Sequence, residues 1–278
     1  MSEVTLKELL ESGAHFGHQT SRWNPKMKPY ILTAKNGVHL VNLKETIECI
    51  KAAEKLTASV VANGGSVLFV GTKAQAKDVV RESAEECRHY YINTRWLGGM
   101  LTNFATVRKS IKRVEEIDRM ESDGTFKVLP KKEVNILKKK REKILAVLSG
   151  VREMKELPGL MVVIDIIKEK IAIDEAKRLN IPVIALVDTN GDPTTVTCPI
   201  PANDDSLKTI SIVLKSLAKV VLSTPVTAVK RDPKGEGSDG RKRIVKRTVV
   251  KKIIKKKVLK STGATVSETS EAVETAAE

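Results

Sequence analysis

At 278 residues, with 41% apolar and 30% charged side chains, the chain is long enough to bury a sizeable core in one or two domains. It has no run of about 18 apolar residues and no basic-apolar-small leader, which argues against a bilayer span and a secreted protein and points to the cytosol. The formal net charge of +15 argues for a polyanionic partner, and it is uneven: residues 226–278 hold 14 Lys/Arg against 7 Asp/Glu, leaving +8 for residues 1–225.

Thr5-Leu6-Lys7-Glu8 has capping-box spacing and predicts a short helix through Leu9 and Leu10 to Gly13. Residues 13–30 carry two glycines and two prolines and are expected to form an irregular surface segment. That segment interleaves Phe16, Trp23 and Tyr30 with Arg22, Lys26 and Lys28, a composition suited to nucleic acid. The competing reading docks the aromatics on the core and leaves the lysines solvated. Val38–Val41 predicts a strand, and Asn42 caps a helix whose apolar stripe is Ile47, Ile50, Ala53 and Leu56.

Ser66–Gly71 is a continuous apolar run of the kind that parallel sheets bury on both faces. A helix over 72–88 and a strand over 90–93 follow. Arg95-Trp96-Leu97-Gly98-Gly99-Met100-Leu101-Thr102-Asn103 then forms a loop whose glycine pair permits a sharp turn or a close approach. Its cation and large ring suit phosphate and base contact, although a buried Trp is the commoner use of such a residue. Residues 105–157 break the alternation. Two amphipathic helices, one on Val107, Ile111, Val114 and Ile117, the other on Val134, Leu137, Ile144, Leu148 and Val151, predict an antiparallel, coiled-coil-like hairpin. Arg141 falls on its seam.

Strands over 160–165, 181–188 and 197–200 resume the alternation, with Pro199 marking the last as an edge. The segment Asn203–Ser206 opens a final helix carrying Leu207, Ile210, Leu214 and Leu217. The whole predicts a mainly parallel, three-layer α/β domain over 1–225, interrupted by the 105–157 insertion. Residues 226–278 are expected to be a disordered linker and tail, with 11 cations and no acid over 241–260 that would order on a polyanion. Cys49, Cys87 and Cys198 are scattered and read as reduced core residues.

The chain carries little recognisable catalytic chemistry. Gly71–Ala76, between a strand and a helix, offers amides for a phosphate but matches neither a Walker loop nor G-x-G-x-x-G. No nucleophile–base set is recognisable, so no catalytic residue is assigned. His18, Asp188, Asp204 and Asp205 fall in loops that converge at the carboxyl edge of such a sheet. They are candidate ligands for a divalent zinc or magnesium ion, and the competing role for the aspartates is turn and helix capping. An α/β enzyme or ligand-binding protein would have to use this cluster.

Several strings resemble one family. They are His15–Thr20, Trp23–Pro29, Phe69–Lys73, Arg95–Asn103, Gly124–Phe126, Ile181–Val183 leading to Val187–Asn190, Asp192-Pro193 and Asn203–Asp205, in order over roughly residues 3–222. The chain resembles the bacterial-type small-ribosomal-subunit protein number two. The resemblance implies a flavodoxin-like domain with an inserted helical hairpin. It also implies a non-enzymatic, cytoplasmic component of the small subunit that needs no cofactor and is not a homo-oligomer. The implied partners are small-subunit ribosomal RNA and other small-subunit proteins, the first-numbered one included, with no membrane. By residue type and place in the matched motifs, the RNA-facing positions are Arg22, Trp23, Lys26, Lys28, Lys73, Arg95 and Trp96, with Lys109, Lys112 and Arg113 on the hairpin. The basic run at 241–260 departs from the family pattern.

Overall fold

A computed structural model describes residues 4–225; the expectations for residues 226–278 lie outside the described residues. The first helix, α1 (Leu6–Glu11), has the capping box read from the sequence, with Glu8 N–H donating to Thr5 Oγ1 and Thr5 N–H to Glu8 Oε2. Next come β1 (Phe16–Gln19), β2 (Ile31–Lys35) and β3 (Val38–Val41), an antiparallel sheet in the order β1-β3-β2. Two of these strands lie where an irregular segment was expected or no element was assigned. Their pattern hides them: β1 is four residues with a glycine, and four of the five residues of β2 are exposed. Gly17 is required within β1, because a Cβ there would stand 2.5 Å from Thr189 Cγ2 and 3.1 Å from the His39 carbonyl oxygen.

A long helix, α2 (Leu43–Ala62), leads into the main sheet: β4 (Val67–Val70), β5 (Tyr90–Ile92), β6 (Leu160–Ile164), β7 (Val183–Val187) and β8 (Cys198–Pro201). Every neighbouring pair is parallel and the spatial order is β5-β4-β6-β7-β8. That is the 2-1-3-4-5 order of flavodoxin-like folds. Pro199 and Pro201 sit in the edge strand β8, where a missing N–H costs the ladder least.

The strands are buried on both faces, so alternation divides their side chains between two cores. Val67, Phe69, Val162, Ile184 and Ile200 face α1, α2, α3 (Lys77–Glu86) and α7 (Leu207–Ser223). Leu68, Val70, Val163, Ala185 and Val187 face α6 (Lys170–Arg178), the Trp96–Leu101 loop and the roots of the inserted helices. The helix expected over 72–88 is shorter, because Gly71–Ala76 forms a turn.

Two helices fill the interruption, α4 (Phe104–Ser122) and α5 (Lys131–Leu148), turning at Gly124 with φ +75°. Asp118 meets Arg141 and Glu121 meets Lys138 at 3.1 Å, so the helices run antiparallel. Arg141, charged on the expected seam, is thereby partnered. At the root, Arg152 Nη2 binds Asp118 at 2.8 Å, and Arg108 Nη1 donates to the carbonyls of Arg152 and Met154.

Candidate nucleic-acid interface and strand-end cluster

The carboxyl ends of β4, β6, β7 and β8 bring Lys73, Asp165, Asp188 and Asp204 to one edge of the sheet, and β1 lays His18 across it. Lys73 Nζ lies 2.6 Å from Asp205 Oδ1, 2.7 Å from Asp204 Oδ1 and 3.8 Å from Asp165 Oδ2. The lysine was expected to face RNA; here its charge is directed at carboxylates and its side chain is 16% exposed. Burial lowers the Lys73 pKa, but hydrogen bonds to Asp204 and Asp205 outweigh it and hold the ammonium above its ordinary value. Asp204 is pushed up to about 6 by burial, against the pull of Lys73 and with the push of Asp165 and Asp188.

His18 Nδ1 is 2.8 Å from Asp188 Oδ2, and its Nε2 is 3.8 Å from Asp205 Oδ2. The hydrogen bond to Asp188 raises the His18 pKa above the usual imidazole value, although burial opposes it. One ligand atom each from His18, Asp188 and Asp204 fall within 4.8 Å of one another, so three of the four candidate metal ligands converge. Asp205, the fourth, is half exposed and bound to Lys73. A cleft of about 340 Å³ opens beside them, lined in part by His18, Arg22, Asp188 and Asp205.

Two helix-edge positions that could take an anionic ligand hold the chain's own carboxylates. Thr72 donates its N–H at 3.1 Å, and its hydroxyl as well, to buried Glu169, so the strand-turn after β4 is already occupied. The Arg95–Asn103 loop folds around Glu175 of α6. Trp96 Nε1 and Gly99 N–H donate to Glu175 Oε1 at 3.0 and 2.8 Å. Leu101 N–H, Thr102 N–H and Thr102 Oγ1 donate to Oε2 at 2.9, 3.0 and 3.1 Å. The Gly-Gly turn, with Gly99 at φ +84°, aims those amides inward.

Trp96 is therefore corrected from an RNA-stacking ring to a core residue, 7% exposed and bonded through its indole nitrogen. Arg95 beside it is exposed. Sequence reasoning missed Glu175. The available signal was a carboxylate beside the apolar stripe of Ala172, Ala176 and Leu179, where a surface helix should be uncharged.

The other expected RNA contacts divide. Arg22, Lys28, Lys109 and Lys112 are exposed. Trp23 is 36% exposed and lies against His39, with ring centroids 5.2 Å apart and the planes tilted by 46°. Lys26 is bound to Asp192 at 2.7 Å and Arg113 to Glu116 at 2.8 Å, so neither charge is fully available. The bond from Lys26, followed by those from Thr194, holds the Asp192 carboxyl at about 2. Among the described residues no helix is long and apolar enough to cross a membrane.

The sequence model described as ribosomal protein S2 matches residues 9–224, most of the chain, and the chain belongs to that family of structural proteins of the small ribosomal subunit.

Proposed function

We propose that the chain binds small-subunit ribosomal RNA and neighbouring small-subunit proteins, the first-numbered one included, as a non-catalytic scaffold within cytoplasmic ribosomes. Family membership over residues 9–224 carries this reading. It is supported by the exposed cations Arg22, Lys28, Arg95, Lys109 and Lys112, which suit phosphate contact. It is also supported by the strand-end crevice, where Lys73, Glu169 and Thr72 occupy positions that a nucleotide enzyme of this fold leaves to its ligand. Sedimentation of lysate through gradients at low and moderate salt, with immunodetection, tests it. Co-migration with small subunits at both salts is the expected result. A chain that stays at the top of both gradients is no subunit component.

The same reading includes a structural divalent cation, zinc or magnesium, on His18, Asp188 and Asp204. The residues fit in charge and kind: three aspartates face one lysine while a fourth pairs with His18, and a histidine with two buried carboxylates is a donor set that zinc accepts. His18 would meet the ion through one ring nitrogen, with its orientation held by the carboxylate on the other. Purified chain is expected to take up close to one equivalent of zinc, and His18→Ala to lower the affinity about 10- to 100-fold. Uptake unchanged by His18→Ala, measured by metal analysis and calorimetry, would place the ion elsewhere.

A further inference from the structure

Around α6 the fold leaves three aliphatic side chains in solvent. Ala172, Ile173, Glu175 and Ala176 are buried, which turns Lys170, Ile171, Asp174, Lys177 and Arg178 outward. Ile171 is 58% exposed, and Ile167, in the turn that enters the helix, 54%. At 3.6 residues per turn, Ile171 and Glu175 stand about 40° apart around the axis and one turn apart along it. The Arg95–Asn103 loop is bonded to that same Glu175. Its outer residues, Gly98 and the 39% exposed Leu97, are thereby brought to the Ile171 side of the helix.

Gly98 is a second, independent observation. Its φ lies outside the left-handed region, and a Cβ there would meet nothing within 4 Å. Gly17 and Gly99 differ, the first fixed by a close approach and the second by its φ. The fold itself does not call for glycine at 98, whereas a bare Cα on an exposed turn suits a partner backbone that packs closely. Five donors tie the turn to Glu175, so a partner loses little in ordering it.

We propose that Leu97, Gly98, Ile167 and Ile171 seat an acidic amphipathic helix of a neighbouring small-subunit protein. The inference rests on the subunit reading above and adds to it a surface and the chemistry of the partner. The aliphatic centre takes the apolar stripe of such a helix. Lys170, Lys177 and Arg178, which no carboxylate of the described residues engages, face its acids. A second copy of this chain is a poor fit, because a self-complementary contact would set these cations against one another. RNA is a poor fit as well. The patch offers no exposed ring for bases to stack on, and Asp174 stands among the cations where a phosphate track would meet it.

The test places a photoreactive residue in the full chain, Leu97→p-benzoylphenylalanine or Ile171→p-benzoylphenylalanine. Lys215→p-benzoylphenylalanine, exposed on α7, is the control. Small subunits carrying each variant are purified, irradiated and mapped by mass spectrometry. Both patch probes are expected to join one segment of one small-subunit protein, richer in Asp and Glu than in Lys and Arg and with aliphatic residues at helical spacing. The control is expected not to reach it. Cross-links to RNA, to a segment without that acidic excess, or to nothing overturn the proposal and leave the subunit reading standing. A second variant, Ile171→Asp, is expected to compete about tenfold less well than wild type for subunits that lack the chain. Its unfolding midpoint is expected to be unchanged, since the side chain is solvated. Equal competition also overturns the proposal. Wild-type chain that joins no small subunit removes the subunit reading, and this inference with it.

Discussion

Glu175→Ala is expected to lower the stability of the chain by about 4 kcal/mol, because it strands a set of buried donors rather than one contact. Three backbone amides, an indole N–H and a hydroxyl converge on a carboxylate that is 5% exposed. Their partner cannot be replaced from within, since the glycine turn and Met100 pack the loop against the sheet. Glu175→Gln keeps the shape but turns an amide N–H towards other donors, and about 2 kcal/mol is expected from it. The carboxyl also titrates with a definite sign. Burial raises its pKa, but the donors, led by the Thr102 amide and then the Trp96 indole, outweigh it and hold the folded-state value below the ordinary 4.5. The stabilisation is therefore complete above pH 4.5 and is lost as the pH falls through the lowered value. Urea unfolding of both variants at pH 7, repeated towards pH 3, measures this; a loss under about 1 kcal/mol for the alanine variant would show that the loop folds without its carboxylate.

Lys73→Met carries the second large effect, about 3 kcal/mol, for the reverse reason: it removes the cation and leaves the anions. Asp204 is 2% exposed and Asp188 likewise, and His18 would be the one remaining group able to carry positive charge in the cluster. Adding Asp204→Asn to Lys73→Met is expected to recover a third or more of the loss, since the double variant buries a hydrogen-bonding amide in place of an unpaired charge. Equilibrium unfolding of the two single variants and the double one gives the coupling directly. If the single effects simply add, the pair is not an interacting unit. The cavity left by the lysine stem is expected to be small, because methionine replaces most of its methylenes.

The fold was legible wherever burial is two-sided or periodic. Val67–Val70, Leu160–Ile164 and Val183–Val187 are apolar throughout because the sheet is covered on both faces, and the runs are visible as such. The amphipathic stripes of α2, α4 and α7 were equally plain. What escaped notice has little pattern of its own. The strands β1 and β2 are held by pairing to β3, and neither shows an alternating pattern in its side chains. The convergence of His18, Asp188 and Asp204 followed from the rule that strand ends meet at one edge. That Lys73 would take the centre did not, because nothing in Gly71-Thr72-Lys73 distinguishes a lysine facing three carboxylates from one facing phosphate. Trp96 was misjudged for a related reason: its partner is a glutamate 79 residues away.

The pairing of β4 with β6, Val67 opposite Leu160, has a consequence for the order of events during synthesis. Some 90 residues, the inserted helical arm among them, must leave the exit tunnel before β4 acquires its second neighbour. Until then β4 is flanked by β5 alone, and its open edge is an apolar strand with unpaired amides. The first helix waits longer still, since the Ser12 carbonyl and hydroxyl are bonded by Ser206 and Thr209 near the far end of the described chain. The contacts of α4 with α5 are local and need neither event. On that ordering the arm is assembled while the sheet that will carry it is still open.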